Sequence, residues 1–175
     1  MPSLEWLIYS WVMTEVQPVD PVDPVDMAPL ASLGQRVLAR LIDTVVLIAI
    51  GLTVSVSVFG SDFTHPEDSS YSKQVLVGSL GYIIYFVLEG AMTAARGQTL
   101  GKMALRIRAA RLVDGAVPGQ AGWVRAAVYV LPGVLSAILV GPLFWLINAL
   151  WCTWDKPYRQ CLHDKAARTV VVAAV

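Results

Sequence analysis

Positive charge is missing from the start of this chain: residues 1–16 contain no lysine or arginine, and Glu5 and Ser10 interrupt their apolar residues, so nothing there has the pattern of a cleavable signal. Cysteine is scarce, with only Cys152 and Cys161, which excludes a disulfide scaffold and leaves both thiols expected reduced. Net charge is absent too, since 13 basic residues face 13 acidic ones, so no overall field draws nucleic acid or another polyanion. Charged residues make up only 15% of the chain, while 56% are aliphatic, aromatic or cysteine. A single soluble domain does not carry that excess, and the surplus apolar surface must face lipid.

Residues 17–29 repeat Pro-Val-Asp three times and cannot sustain a helix. Residues 1–32 are therefore expected to be a disordered tail, dispensable up to Ala28, with Met13 or Met27 as alternative starts, and 33–175 the folded part. The first hydrophobic run, 41–59, spans about 28 Å as a helix, close to the hydrocarbon thickness of a bilayer. A polar loop over 60–74 precedes a second run at 75–95, charged only at Glu89. The last run, 126–154, is broken by Pro132-Gly133 and Gly141-Pro142. It reads as a short helix, a bend at Pro132 and a second helix from about Val134. The expected fold is an all-α integral membrane protein of three or four hydrophobic helices.

Between the second and third of these, residues 96–125 hold six basic residues against Asp114 alone. Alternation over 105–109 followed by Asp114-Gly115 predicts a small β-hairpin or loop at the membrane surface. The excess of basic residues places this section in the cytoplasm. The tail after Trp154, with Lys156, Arg159, Lys165 and Arg168, points to the same side and makes 126–154 a helical hairpin.

Arg36, Arg40 and Asp43 are spaced four and three apart and share one helix face, where Arg40 can pair directly with Asp43. Gly78, Tyr82, Tyr85 and Glu89 share a face of the second run, so Asp43 and Glu89 come from the same halves of two neighbouring helices. Two readings stay open. One is a set of anchors that fix orientation and packing; the other is a titrating site of the kind used in proton- or cation-linked transport. The run from Arg96 to Lys102, Arg-Gly-Gln-Thr-Leu-Gly-Lys, departs from a nucleotide-binding loop in length and in ending before Met103, and no nucleotide is expected. Its glycines permit a tight turn whose amides and Lys102 meet lipid phosphates or cap another helix. Cys161, His163 and Asp164 lack the spacing of a metal site, so neither metal nor other cofactor is expected. No nucleophile or acid–base pair marks an enzyme.

Three blocks coincide with one family. Arg-Val-Leu-Ala-Arg-Leu-Ile-Asp from Arg36 to Asp43, Gln-Thr-Leu-Gly-Lys from Gln98 to Lys102, and Arg-Gln-Cys-Leu-His-Asp-Lys from Arg159 to Lys165 resemble the RDD family of bacterial membrane proteins, as does Thr-Val-Val from Thr169. The family is named for an arginine and two aspartates, matched here by Arg36, Asp43 and Asp164. The resemblance implies a multi-pass protein of the bacterial plasma membrane. Its expected role is that of an assembly or regulatory partner in the bilayer, associating with itself or another membrane protein. The alternative is a small transporter of protons or monovalent cations, since sodium/proton antiport has been attributed to some members. The functional cluster expected is Arg36, Arg40, Asp43, Glu89, Lys102, His163 and Asp164.

Overall fold

A computed structural model describes residues 28–65 and 69–174; the Pro-Val-Asp repeat lies outside them. Helix α1 (Leu33–Phe59) starts where Ser32 and Gln35 form a capping box, each side chain taking the other's backbone amide at 3.2 and 3.0 Å. A 3₁₀ turn (Gly60–Thr64) follows, and α2 (Tyr71–Arg96) returns alongside α1. Both helices are long and apolar enough to cross a membrane. Val45, Ile48 and Leu52 on α1 and Leu76, Ile83 and Val87 on α2 stay exposed, an apolar belt far larger than water tolerates and suited to hydrocarbon.

Gly97, with φ of 69°, ends α2, and the short α3 (Leu100–Ala104) turns back against α1. Then come strand β1 (Ile107–Arg111), α4 (Gln120–Val130), a 3₁₀ stretch (Leu131–Ile138), α5 (Val140–Trp154), α6 (Leu162–Ala166) and β2 (Thr169–Ala173). α4 lies along α2 so closely that a Cβ on Gly122 would stand 2.6 Å from the backbone nitrogen of Ala94.

The expected β-hairpin is corrected. The alternating segment does form a strand and Asp114-Gly115 does form a turn, but β1 pairs antiparallel with β2, in register from Ile107 opposite Ala173 to Arg111 opposite Thr169. After the turn, Pro118 has no amide to donate and α4 begins two residues later, so no second strand exists nearby. The β-branched Thr-Val-Val-Val of β2 supplies it from the far end of the chain.

One face of this ribbon packs Ile107 and Val171 against Ala31 and Ala39; the other packs Ala110, Val170 and Val172 against Leu112 and Tyr158. The tail boundary drawn after residue 32 falls within the same sheet. Ala31 donates its amide to Val171, Ala173 donates to Pro29, and Leu30 bridges Val172.

The last hydrophobic run also differs from expectation. α4 starts at Gln120, which moves Arg125 from the polar section into a helix, and α5 starts at Val140 rather than near Val134. The 3₁₀ stretch begins at Leu131, just before Pro132, and ends at Ile138; the left-handed φ of 61° at Leu139 then resets the chain for α5. The ribbon, α3 and α6 form a cap at the end of the bundle where α1 begins and α2 and α5 finish.

Candidate functional site

Arg36, on the first turns of α1, is buried and meets only backbone carbonyls. Its Nε donates to Ala31 at 3.3 Å, one terminal nitrogen to Val171 at 3.1 Å and the other to Arg159. A planar fork of this reach satisfies three separate acceptors at once. One guanidinium thus ties the start of α1 to β2 and to the loop ahead of α6.

Asp43 sits two turns further along α1, under the N-terminus of α3. Its Oδ2 accepts the Thr99 hydroxyl at 2.6 Å and its Oδ1 accepts the amide of Gly101 at 2.8 Å. A carboxylate is the acceptor that unpaired amides at a helix start favour. The approach is close enough that a Cβ on Gly101 would lie 2.0 Å from the carbonyl oxygen of Ala39, which explains the glycine in Gln-Thr-Leu-Gly-Lys. The expected Arg40–Asp43 pair is a 4.0 Å contact, because Arg40 reaches Glu89 of α2 instead, at 2.8 Å.

From Arg40 the contacts continue inward. Its guanidinium lies 3.8 Å over the Tyr129 ring, and its second terminal nitrogen is 3.3 Å from Nε2 of His163. Arg125, in α4 and 1% exposed, donates from Nε to Asp164 Oδ1 at 2.8 Å and from a terminal nitrogen to the same His163 Nε2 at 2.8 Å. Two guanidiniums facing Nε2 require that nitrogen to accept, so the ring proton is on Nδ1, which donates to Asn148 Oδ1 of α5 at 2.8 Å.

Burial, reinforced by Arg125, Arg40 and Lys102, holds the imidazole well below its usual pKa despite Asp164 alongside. Burial works against the charge of Asp164, but Arg125, by its charge and its hydrogen bond, outweighs it and keeps the carboxyl below the usual carboxylate range. Lys102 is buried with Nζ 3.3 Å from the Thr99 hydroxyl, and burial followed by the nearby arginines pushes its amine well below the ordinary lysine value.

The seven residues singled out from sequence therefore converge on one buried patch where the cap meets the bundle. Sequence reasoning missed Arg125, Asn148, Thr99 and Tyr129. A signal existed for two of them: Arg125 and Asn148 are isolated polar residues within apolar stretches, the usual mark of a side chain turned inward.

Two cavities adjoin the patch. One of about 40 Å³ is bordered by Arg36, Arg40, Lys102, Arg125, His163 and Asp164, and one of about 10 Å³ by Asp43, Tyr85, Glu89 and Thr99. Glu89 Oε2 and Arg125 Nη1 are buried without a hydrogen-bond partner. Ligand atoms of Cys161, His163 and Asp164 fall within 4.8 Å of one another. Yet the His163 lone pair and Asp164 Oδ1 are both directed at arginines, so the trio offers a cation a positive surrounding rather than free ligands.

No curated protein and no solved structure matches the chain. The RDD family model matches residues 30–168, from the edge of the cap sheet through Asp164 to the start of β2, and so takes in every residue of the buried patch. The chain belongs to the RDD family, whose members are generally membrane-associated.

Proposed function

We propose that this is a multi-pass protein of the bacterial plasma membrane whose arginine–carboxylate patch locks a cytoplasmic cap onto the helix bundle, and that it serves as an assembly or regulatory partner of another membrane protein or of a second copy. α1 and α2 give two passes. The α4–α5 segment supports a further helical hairpin, since α4 and the 3₁₀ stretch together reach about 32 Å and α5 about 22 Å. Of the 13 basic residues, all but Lys73 lie on the cap, on its loops or at helix ends beside it, which supports a cytoplasmic cap.

The observation carrying this reading is that Arg36, Asp43 and Asp164 are all engaged in holding the cap: on three carbonyls, on the start of α3, and on Arg125. Groups fixed in that way set shape rather than exchange ions.

The transport reading has one observation of its own, the Oε2 of Glu89 without a hydrogen-bond partner beside the smaller cavity. Reconstituted vesicles carrying pH, sodium and potassium gradients separate the two. The expected result is no flux above that of empty vesicles, together with migration of the protein from native membranes as a larger complex that Asp164→Asn dissolves. Flux that Glu89→Gln abolishes would establish transport instead.

A further inference from the structure

With Lys102 protonated, the buried patch is not electrically balanced. Four cations, Arg36, Arg40, Lys102 and Arg125, face three carboxylates, Asp43, Glu89 and Asp164, and the imidazole between them is neutral by its hydrogen bonds. Arg40 pairs with Glu89, and Arg125 with Asp164 and, at 3.8 Å, with Glu89 as well. Among the described residues, Arg36 and Lys102 have no carboxylate within 4.0 Å; the first meets only carbonyls and the second a hydroxyl. An unpaired buried cation is costly unless something neutralises it.

All four cations line the same cavity of about 40 Å³ together with His163 and Asp164, and Arg125, 1% exposed, has a terminal nitrogen, Nη1, that makes no hydrogen bond and lies 3.8 Å from Glu89 Oε1. The excess is one positive charge, and the groups facing the cavity are mostly guanidinium forks, whose geometry suits a tetrahedral oxyanion.

We infer that the cavity bordered by Arg36, Arg40, Lys102 and Arg125 is a binding site for a singly charged phosphate group, either free phosphate or the phosphodiester of a membrane lipid. The bound group accepts from Arg125 Nη1 and from Lys102, and it brings the patch to neutrality with Lys102 protonated. Depression of the Lys102 amine in the unoccupied site is what this inference expects.

Delipidated protein in detergent, titrated with inorganic phosphate at ionic strength held constant with chloride, tests the free anion. Nanodiscs of phosphatidylcholine with and without phosphatidylglycerol test the lipid phosphodiester with either headgroup. Lys102→Met is the informative variant because it removes a cation that has no carboxylate partner, so the fold does not depend on it. At least one probe is expected to raise the thermal midpoint of the parent, with affinity reduced tenfold or more in Lys102→Met, while the variant without anion melts no lower than the parent. A response to phosphate identifies a free anion; a response only to lipid identifies a headgroup. If no probe shifts the parent, or if Lys102→Met responds as the parent does, the site does not exist. The readout involves neither flux nor a partner protein and stands or falls apart from the proposed function.

Discussion

Asp43 and His163 show how single side chains hold the patch together. Because Asp43 accepts from Thr99 and from the amide of Gly101, Asp43→Asn removes a charged acceptor from two buried bonds. The expected loss is about 2–4 kcal/mol, from about 1.5–3 kcal/mol for each bond to a charged group less what the amide oxygen retains. Unfolding in mixed micelles should show Asp43→Asn strongly coupled to Thr99→Val, by about 1 kcal/mol or more, and only weakly coupled to Arg40→Gln across its 4.0 Å contact. Equal coupling to both would restore the pairing expected from helical spacing alone.

For His163 the folded-state pKa is depressed, so the unfolded chain takes up its proton first, and stability is lost as pH falls through the unfolded value near 6.5. Asp164, also depressed, adds its own loss only below about pH 4. Between about pH 6.5 and 4.5 the parent should lose up to about 1.4 kcal/mol per pH unit, and His163→Gln should flatten that slope. An unchanged slope in His163→Gln would assign the loss to other groups.

Among the elements, the long apolar helices were the legible part of the sequence, because a run of that length and hydropathy has few other uses. β1 was legible as a strand but not its partner. Alternation reports which residues share a face, and nothing local in 105–119 points to residues 169–173. The face shared by Arg36, Arg40 and Asp43 was readable from spacing. Glu89 was readable as a neighbour but not as the partner of Arg40, and Thr99 and Arg159 were not readable at all, since they are brought in by how α3 and the final loop fold back.

Arg125 escaped notice because the basic section seemed to run on through it, whereas Pro118 and Gly119 had already begun a new helix. At this scale Gly101 is the most exacting position: Gly101→Ala puts a methyl group into the Ala39 backbone and must push α3 off α1. Overpacking against backbone costs about 1–3 kcal/mol, and the micelle unfolding assay should show that loss, whereas Gly115→Ala, with nothing near its Cβ, should cost only its left-handed strain. Equal losses at the two glycines would mean that α3 does not sit tightly on α1.

At the scale of the whole molecule, the chain divides into a lipid-facing bundle and a cap, joined by buried charges with only a small apolar contact at Ala39. Small clusters of alanine and valine fill the sheet, and Ile107 and Val171 reach Ala39 of α1, but the rest of the surface between cap and bundle is made of Arg36, Arg125, His163 and Asp164 with their partners. Arg125 belongs to the bundle and Asp164 to the cap, so their buried pair joins the two parts directly. Removing one partner of such a pair leaves an uncompensated buried charge and costs about 3–5 kcal/mol. That loss should open the cap before it disturbs helices held by lipid and by each other. The direct test is hydrogen exchange on the reconstituted protein, parent against Asp164→Asn, followed at β1 and β2 and at the middle of α1 and α2. The account predicts exchange faster by tenfold or more in both strands with the two long helices still protected; strands that exchange at the parent's rate would contradict the charge lock.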